Sequence, residues 1–248
     1  VLVIVGPTSS GKSSLAVELA RKFDGEVISA DSRQVYRGLN IGTGKITKLE
    51  MKGIRHHLLD VVSPKKNFNA DEYVRYARAA IRDISSRGKL PIVAGGTGFY
   101  IDALVGRTVL PDVPPNPKLR AQLERKSAAQ LLAMLKKKDP RRAKTIEPHH
   151  KRRLIRALEI LAELRAVPRT IDLVGRYDVL WVGIAPRVEE LEGKISIRLF
   201  ARIREGMVAE AKRLHAGGLS YKRMEELGLE YRSLARLLQG TITREQMI

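Results

Sequence analysis

The chain has 248 residues, 44% of them hydrophobic and 29% charged, which suits one α/β core with a small insert or two modest domains. It contains no cysteine, which excludes disulfides, thiolate catalysis and zinc ribbons, and with five histidines a metal site would draw on oxygen ligands. Its net charge of +19, from 46 basic and 27 acidic residues, exceeds what solubility asks for and points to a polyanionic partner.

Taken in chain order, VLVIV (1–5) is a continuous apolar run, as expected of a parallel strand buried on both faces. Gly6-Pro7 ends it, and a helix follows in which Leu15, Ala16, Leu19 and Ala20 recur at helical spacing up to Phe23. EVISA (26–30) reads as a second strand ending at Asp31-Ser32, and 33–70 as loop. A helix over 71–86 stops at Gly88, LPIVAGGTG (90–98) repeats the strand-to-glycine-turn pattern, and FYIDALV opens another helix. PDVPPNP (111–117) is a stiff exit from this unit. Residues 118–138 read as helix, with Leu119, Leu123, Leu131, Leu132 and Leu135 inward and a capping box at Ser127 and Gln130. Asp139-Pro140 breaks it. A helix over about 150–165 buries Leu154, Leu158 and Leu161 and places Arg152, Arg156, Glu159 and Glu163 on the opposite face. YDVLWVGI (177–184) is a returning strand and the rest is helical.

The expected architecture is an α/β fold, a P-loop NTPase-like parallel sheet with helices on both faces and a small basic helical insert. The expected division is a core over 1–110, an insert over 111–149, and a return to core with C-terminal helices over 150–248. Residues 111–172 hold 16 basic against 7 acidic side chains, nearly half the net excess. No apolar run approaches the roughly 20 residues that span a bilayer, and a cytoplasmic protein without membrane contact is expected. Val1 in place of Met, and a stop at Ile248 just after a helix start, suggest trimmed ends.

Gly6, Gly11, Lys12 and Ser13 match GxxxxGK[ST] between a strand and a helix, the context that gives this motif its meaning. Such a loop wraps backbone N–H groups around phosphate, with Lys12 as a point charge and Ser13 as a hydroxyl ligand for Mg²⁺. A nucleotide hydrolase commonly has an Asp at the end of a neighbouring strand to hold the metal, yet LPIVAGG ends in glycines. The carboxylate is Asp31, and in a parallel sheet it converges with the loop and Gly95-Gly96-Thr97 at the strands' carboxyl ends. There it suits accepting a proton from an incoming nucleophile. Three readings fit these residues: a transferase whose leaving group is diphosphate, a P-loop kinase that binds ATP and phosphorylates a metabolite or nucleoside, and a non-catalytic RNA-binding module. The basic insert favours a nucleic-acid acceptor.

GPTSSGKS, ADSRQVYRGLNIGTGK (30–45), HHLLDVVSP (56–64), LPIVAGGTGFYI (90–101), DPRRA (139–143), RRLIRALEI (152–160), GMVAEAKRL (206–214) and LGLEYRSLARLLQG (227–240) resemble, in order and spacing, the tRNA dimethylallyltransferase (tRNA isopentenyltransferase) family of bacterial type. The resemblance implies transfer of a dimethylallyl group from dimethylallyl diphosphate to the exocyclic amine of the adenosine just 3′ of the tRNA anticodon. It makes Mg²⁺ the cofactor, the tRNA anticodon stem-loop and dimethylallyl diphosphate the partners, and a monomer the expected state. Carried over by position, Gly6, Pro7, Thr8, Ser9, Ser10, Gly11, Lys12, Ser13 and Arg198 bind diphosphate, with Ser13 on the metal. Asp31, Thr97 and Lys12 are the catalytic set. Asp31, Ser32, Arg33, Gln34, Thr97, Arg120, Arg152, Arg153, Leu154, Ile155 and Arg156 contact tRNA. His56 and His57 match the family's HHL and are given no catalytic role. Two departures stand out: Lys194 occupies a position usually Arg, and the basic, Trp-containing stretch that usually follows GTITREQMI is absent.

Overall fold

Short, largely apolar stretches, the first at the start of the chain, supply a parallel sheet in the computed structural model, which describes residues 1–164 and 177–248. Its strands are β1 (Leu2–Val5), β2 (Gly25–Ser29), β3 (His56–His57), β4 (Leu90–Ala94) and β5 (Leu180–Gly183). Their order is β3-β2-β4-β1-β5, with every pairing parallel. Val3, Ile4, Ile28, Ile92 and Val93 are wholly inaccessible, as strands covered on both faces require. The chain leaves β1 and β4, which are neighbours, toward opposite sides of the sheet, so the loops after them diverge and open a crevice at their carboxyl ends.

Helices α1 (Lys12–Lys22), α2 (Lys48–Met51), α3 (Ala70–Ser86) and α4 (Gly98–Val105) belong to the same unit. Asn69 and Glu72 form a capping box at the head of α3. The segment 33–70 is less irregular than its composition suggests: Thr47 and Glu50 cap α2, and β3 adds two residues at the sheet edge. Both elements are too short to leave a periodic signal.

A second unit spans Arg107–Val174 and holds α5 (Pro117–Glu124), α6 (Ala128–Lys138), α7 (Pro140–Thr145) and α8 (Lys151–Leu164). The helix expected over 118–138 is two helices, because Ser127 caps α6 with Gln130 and so starts a new axis. The unit also runs past 149: Leu154, Leu158 and Leu161 of α8 share one apolar cluster with Leu123, Leu131 and Leu135. Once these leucines are committed to that cluster, α8 belongs with the insert and not with the sheet.

The first unit resumes with β5 and the helices α9 (Val188–Arg204), α10 (Met207–Ala216), α11 (Tyr221–Leu227), α12 (Leu229–Leu238) and α13 (Arg244–Met247). Met207, Ala211, Leu219, Met224, Leu227, Tyr231 and Leu234 enclose Val35, Tyr36 and Leu39 in a second core. The C-terminal helices thereby anchor the segment that follows Asp31. Among the described residues no helix is long and apolar enough to cross a membrane.

Candidate active site

The loop 6–13 turns sharply from β1 into α1. A Cβ at Gly6 would lie 2.7 Å from the Ile184 carbonyl oxygen, so only glycine fits there. Ser9 and Gly11 have φ of 64° and 93°, and Gly11 caps α1 without any side-chain hydrogen bond. The first N–H groups of α1 and its positive dipole end are therefore presented to the loop. Lys12 folds back across it, with Nζ donating to the Pro7 carbonyl at 2.6 Å. Burial pushes the Lys12 pKa down, Asp31 pulls it up, and Arg198 presses it down again. Pro7, Thr8 and Ser13 are exposed, whereas the Ser10 hydroxyl is buried without a hydrogen-bond partner.

Beside the loop, Asp31 continues from β2. Its Oδ1 accepts from the backbone N–H groups of Arg33 at 2.7 Å and Gln34 at 3.2 Å, while Oδ2 has no hydrogen bond among the described residues. One oxygen thus shapes the turn and the other stays available. The turn is tied to β4: Ser32 N–H donates to Thr97 Oγ1 at 3.0 Å, and Thr97 N–H donates to the Ala30 carbonyl at 3.0 Å. A Cβ at Gly95 would lie 2.2 Å from the Ala30 oxygen, which explains why glycine ends this strand. Gln34 Nε2 donates to the Gly44 carbonyl at 3.4 Å. Arg33 is half-buried.

Arg198, from α9, donates through Nη1 to Ser9 Oγ at 3.1 Å. Lys194 sits one turn earlier and is exposed. Loop 6–13, Asp31, the Thr97 turn and Arg198 thus meet at the crevice that sheet order creates. Three further residues organise this region and escaped sequence reasoning. Arg202 donates to the Gly42 carbonyl and to Glu230. Lys45 donates to the Tyr36 carbonyl, Asn40 and Asp60. Glu210 is 4% exposed and accepts from three consecutive backbone N–H groups. Only Glu210 had a signal: helical spacing puts it beside Met207 and Ala211 on the apolar face of α10.

The remaining expected contacts lie on the second unit. Glu159 is not on an outward face there: it is 2% exposed and accepts from Arg120 Nε and Nη2 at 2.7 and 2.8 Å and from Asn116 N–H at 2.9 Å, with Arg156 at 3.4 Å. Burial pushes its pKa up, but these hydrogen bonds outweigh it and hold the carboxyl below its usual range. Arg120 and Arg156 are therefore committed to this buried carboxylate while keeping part of their surface. Leu154 and Ile155, 0% and 3% exposed, pack their side chains in the unit's core. Arg152 and Arg153 project into solvent, Arg153 pairing with Glu147 at 2.9 Å.

Among the described residues, no trio of metal-capable side chains gathers at the loop; Glu26, His57 and Asp83 form one around the start of β2. Arg87 already pairs there with Glu26 and Asp83. At the loop a cation would have the exposed Ser13 hydroxyl and the oxygens of its phosphate ligand, a donor set that suits Mg²⁺, which retains water and binds through few protein groups.

The IPP transferase family model matches residues 34–248. A tRNA dimethylallyltransferase 1 of Geotalea uraniireducens is 42% identical over 246 residues, 99% of this chain and 81% of the relative. The solved tRNA isopentenylpyrophosphate transferase of Bacillus halodurans aligns with a TM-score of 0.71 at 34% identity, over 99% of this chain and 79% of that one. A eukaryotic dimethylallyltransferase solved acting on tRNA aligns with a TM-score of 0.83 at 28% identity, over 100% of this chain and 65% of that one.

Proposed function

The chain belongs to the IPP transferase family, and from that premise we propose that it transfers a dimethylallyl group from dimethylallyl diphosphate to the exocyclic amine of the adenosine 3′-adjacent to the tRNA anticodon, releasing diphosphate. The observation that carries this reading is the meeting of the phosphate loop, Asp31 and Arg198 at one crevice, with Arg198 hydrogen-bonded to Ser9 and Asp31 presenting an unused oxygen. The adenine nitrogen forms a bond to the donor's first carbon as the carbon–oxygen bond breaks, and that bonding pair departs with the diphosphate. The amine, whose lone pair is delocalised into the ring, loses its proton to Asp31. Lys12, Arg198 and the loop N–H groups stabilise the charge that gathers on the leaving group. Ser13 and the diphosphate itself would hold Mg²⁺, which would supply further neutralisation of that charge. Ser32, Arg33, Gln34 and Thr97 line the acceptor side. The target base reaches the crevice by leaving a single-stranded loop, which costs little stacking.

The second unit serves as the tRNA-gripping element, through Arg152 and Arg153 and the exposed parts of Arg120 and Arg156. A metabolite kinase would use the same crevice but leaves this basic unit idle. Incubation with Mg²⁺, prenyl-labelled donor and tRNA separates the two: label in the RNA supports the reading, and ATP-dependent phosphorylation of a small molecule without prenyl transfer overturns it.

A further inference from the structure

Glu210 is a buried acid outside the reacting set, and its surroundings give it a specific task. Its Oε2 accepts from the N–H groups of Asn40 and Ile41 at 3.0 and 2.8 Å, and its Oε1 from Gly42 N–H at 2.9 Å and the Tyr231 hydroxyl at 2.6 Å. A buried carboxylate is tolerated only when satisfied in this way, and four donors from two segments make it a clamp. What it clamps is the 40–44 loop. A Cβ at Gly42 would lie 2.7 Å from the Tyr231 ring, so the loop and ring are in direct contact. Lys45, with a 5% exposed side chain, closes the loop from the far side through Asn40 and Asp60.

The clamped loop supports the crevice at three points. The Gly44 carbonyl accepts from the Gln34 amide, the Gly42 carbonyl accepts from Arg202 Nη1 at 2.9 Å, and a Cβ at Gly44 would lie 2.6 Å from Arg198 Nη2. The guanidinium that reaches Ser9 thus rests against backbone whose position Glu210 sets. We propose that Glu210, together with Tyr231, is a positioning residue of the reaction: by fixing the 40–44 loop it aims Arg198 at the donor diphosphate and Gln34 at the acceptor. This rests on the reading that the loop 6–13 and Arg198 hold a diphosphate.

The test compares wild type, Glu210→Gln and Tyr231→Phe in thermal melts, in calorimetric binding of inorganic diphosphate with Mg²⁺, and in donor KM and kcat. Gln keeps the shape of Glu but sets an amide donor against a backbone donor. Glu210→Gln is expected to weaken diphosphate binding and raise donor KM about tenfold, the usual scale for groups that orient a ligand-bearing residue. Tyr231→Phe leaves the three backbone bonds and shifts both by about two- to threefold. Both shifts are expected to exceed any change in kcat. A Glu210→Gln protein that melts lower but binds diphosphate and donor like wild type would overturn the proposal, leaving Glu210 merely structural. Should Glu210→Gln fail to fold, unaltered diphosphate binding by Tyr231→Phe would overturn it equally. Wild-type protein that binds no diphosphate would overturn the reading of the loop as well.

Discussion

Arg198 Nη1 and Ser9 Oγ, 189 residues apart in sequence, are hydrogen-bonded at 3.1 Å. The contact joins a C-terminal helix to the phosphate loop and places a second cation beside Lys12, whose own pKa is pushed down by burial. A single lysine losing its hydration is a weak counterion for a departing diphosphate; in the proposed reaction two cations share that role. Arg198→Ala is expected to raise donor KM and lower kcat/KM by about 10²-fold, as for loss of one charged donor at a leaving group. The affinity for tRNA should stay near wild type, measured by equilibrium binding. An equal loss of both affinities would assign Arg198 to the fold of the whole crevice instead.

Asp31 has two separable duties. Oδ1 holds the turn through the Arg33 and Gln34 N–H groups, and in the proposed reaction Oδ2 serves the acceptor. Asp31→Asn preserves an oxygen for the turn and abolishes the base. The melt should be nearly unchanged while kcat falls by roughly 10²–10⁴-fold, the range for a general base. Asp31→Ala should add a loss of stability of about 1 kcal/mol from the unmade turn bonds. An Asp31→Asn rate equal to wild type would remove Asp31 from the chemistry.

The strand, loop and helix at the start of the chain were legible because their signals are local: an apolar run, glycines at fixed offsets, and a helical apolar stripe. Asp31 was legible for the same reason, since ending a parallel strand puts it at the carboxyl edge. Arg198 at Ser9 was accessible only through family resemblance, because nothing within a few residues of Arg198 specifies a partner 189 positions away. Glu159 reads as an outward charge on α8 because helical spacing groups it with Arg152, Arg156 and Glu163, away from the leucines. It is buried because Arg120, from α5, brings the compensating charge across the unit. The same long-range packing explains why α8 joins the insert, although the sequence alone suggested a return to the core from 150.

Those contacts divide the basic positions of the second unit into two kinds. Arg152→Ala and Arg153→Ala remove exposed charge and should weaken tRNA binding while reducing its salt slope by about one each, with the melt unchanged. Glu159→Ala instead orphans Asn116 N–H and two guanidiniums and should cost about 1.5–3 kcal/mol of stability. An unchanged salt slope in the Arg152 variant would exclude that side chain from the RNA interface.

Acid stability should trace to Glu26 at the start of β2. Hydrogen bonds from Arg87, reinforced by His57, lower its pKa from 4.5 to about 2 against the opposing effect of burial. A carboxyl depressed in the folded state contributes stability that is present above 4.5 and lost as pH falls toward 2. Urea melts across that window should show a slope in wild type that Glu26→Gln flattens. A variant with the same slope as wild type would assign acid sensitivity to other carboxylates.

In the proposed reaction loop 6–13 holds a diphosphate that leaves intact while carbon is transferred. The most direct measurement uses donor labelled with ¹⁴C in the dimethylallyl group and ³²P in the diphosphate, with tRNA, Mg²⁺ and no ATP. Only ¹⁴C is expected to enter the RNA, with one inorganic diphosphate released for each prenyl group transferred. Entry of ³²P into the RNA, release of monophosphate as the primary product, or absence of ¹⁴C from the RNA would contradict it.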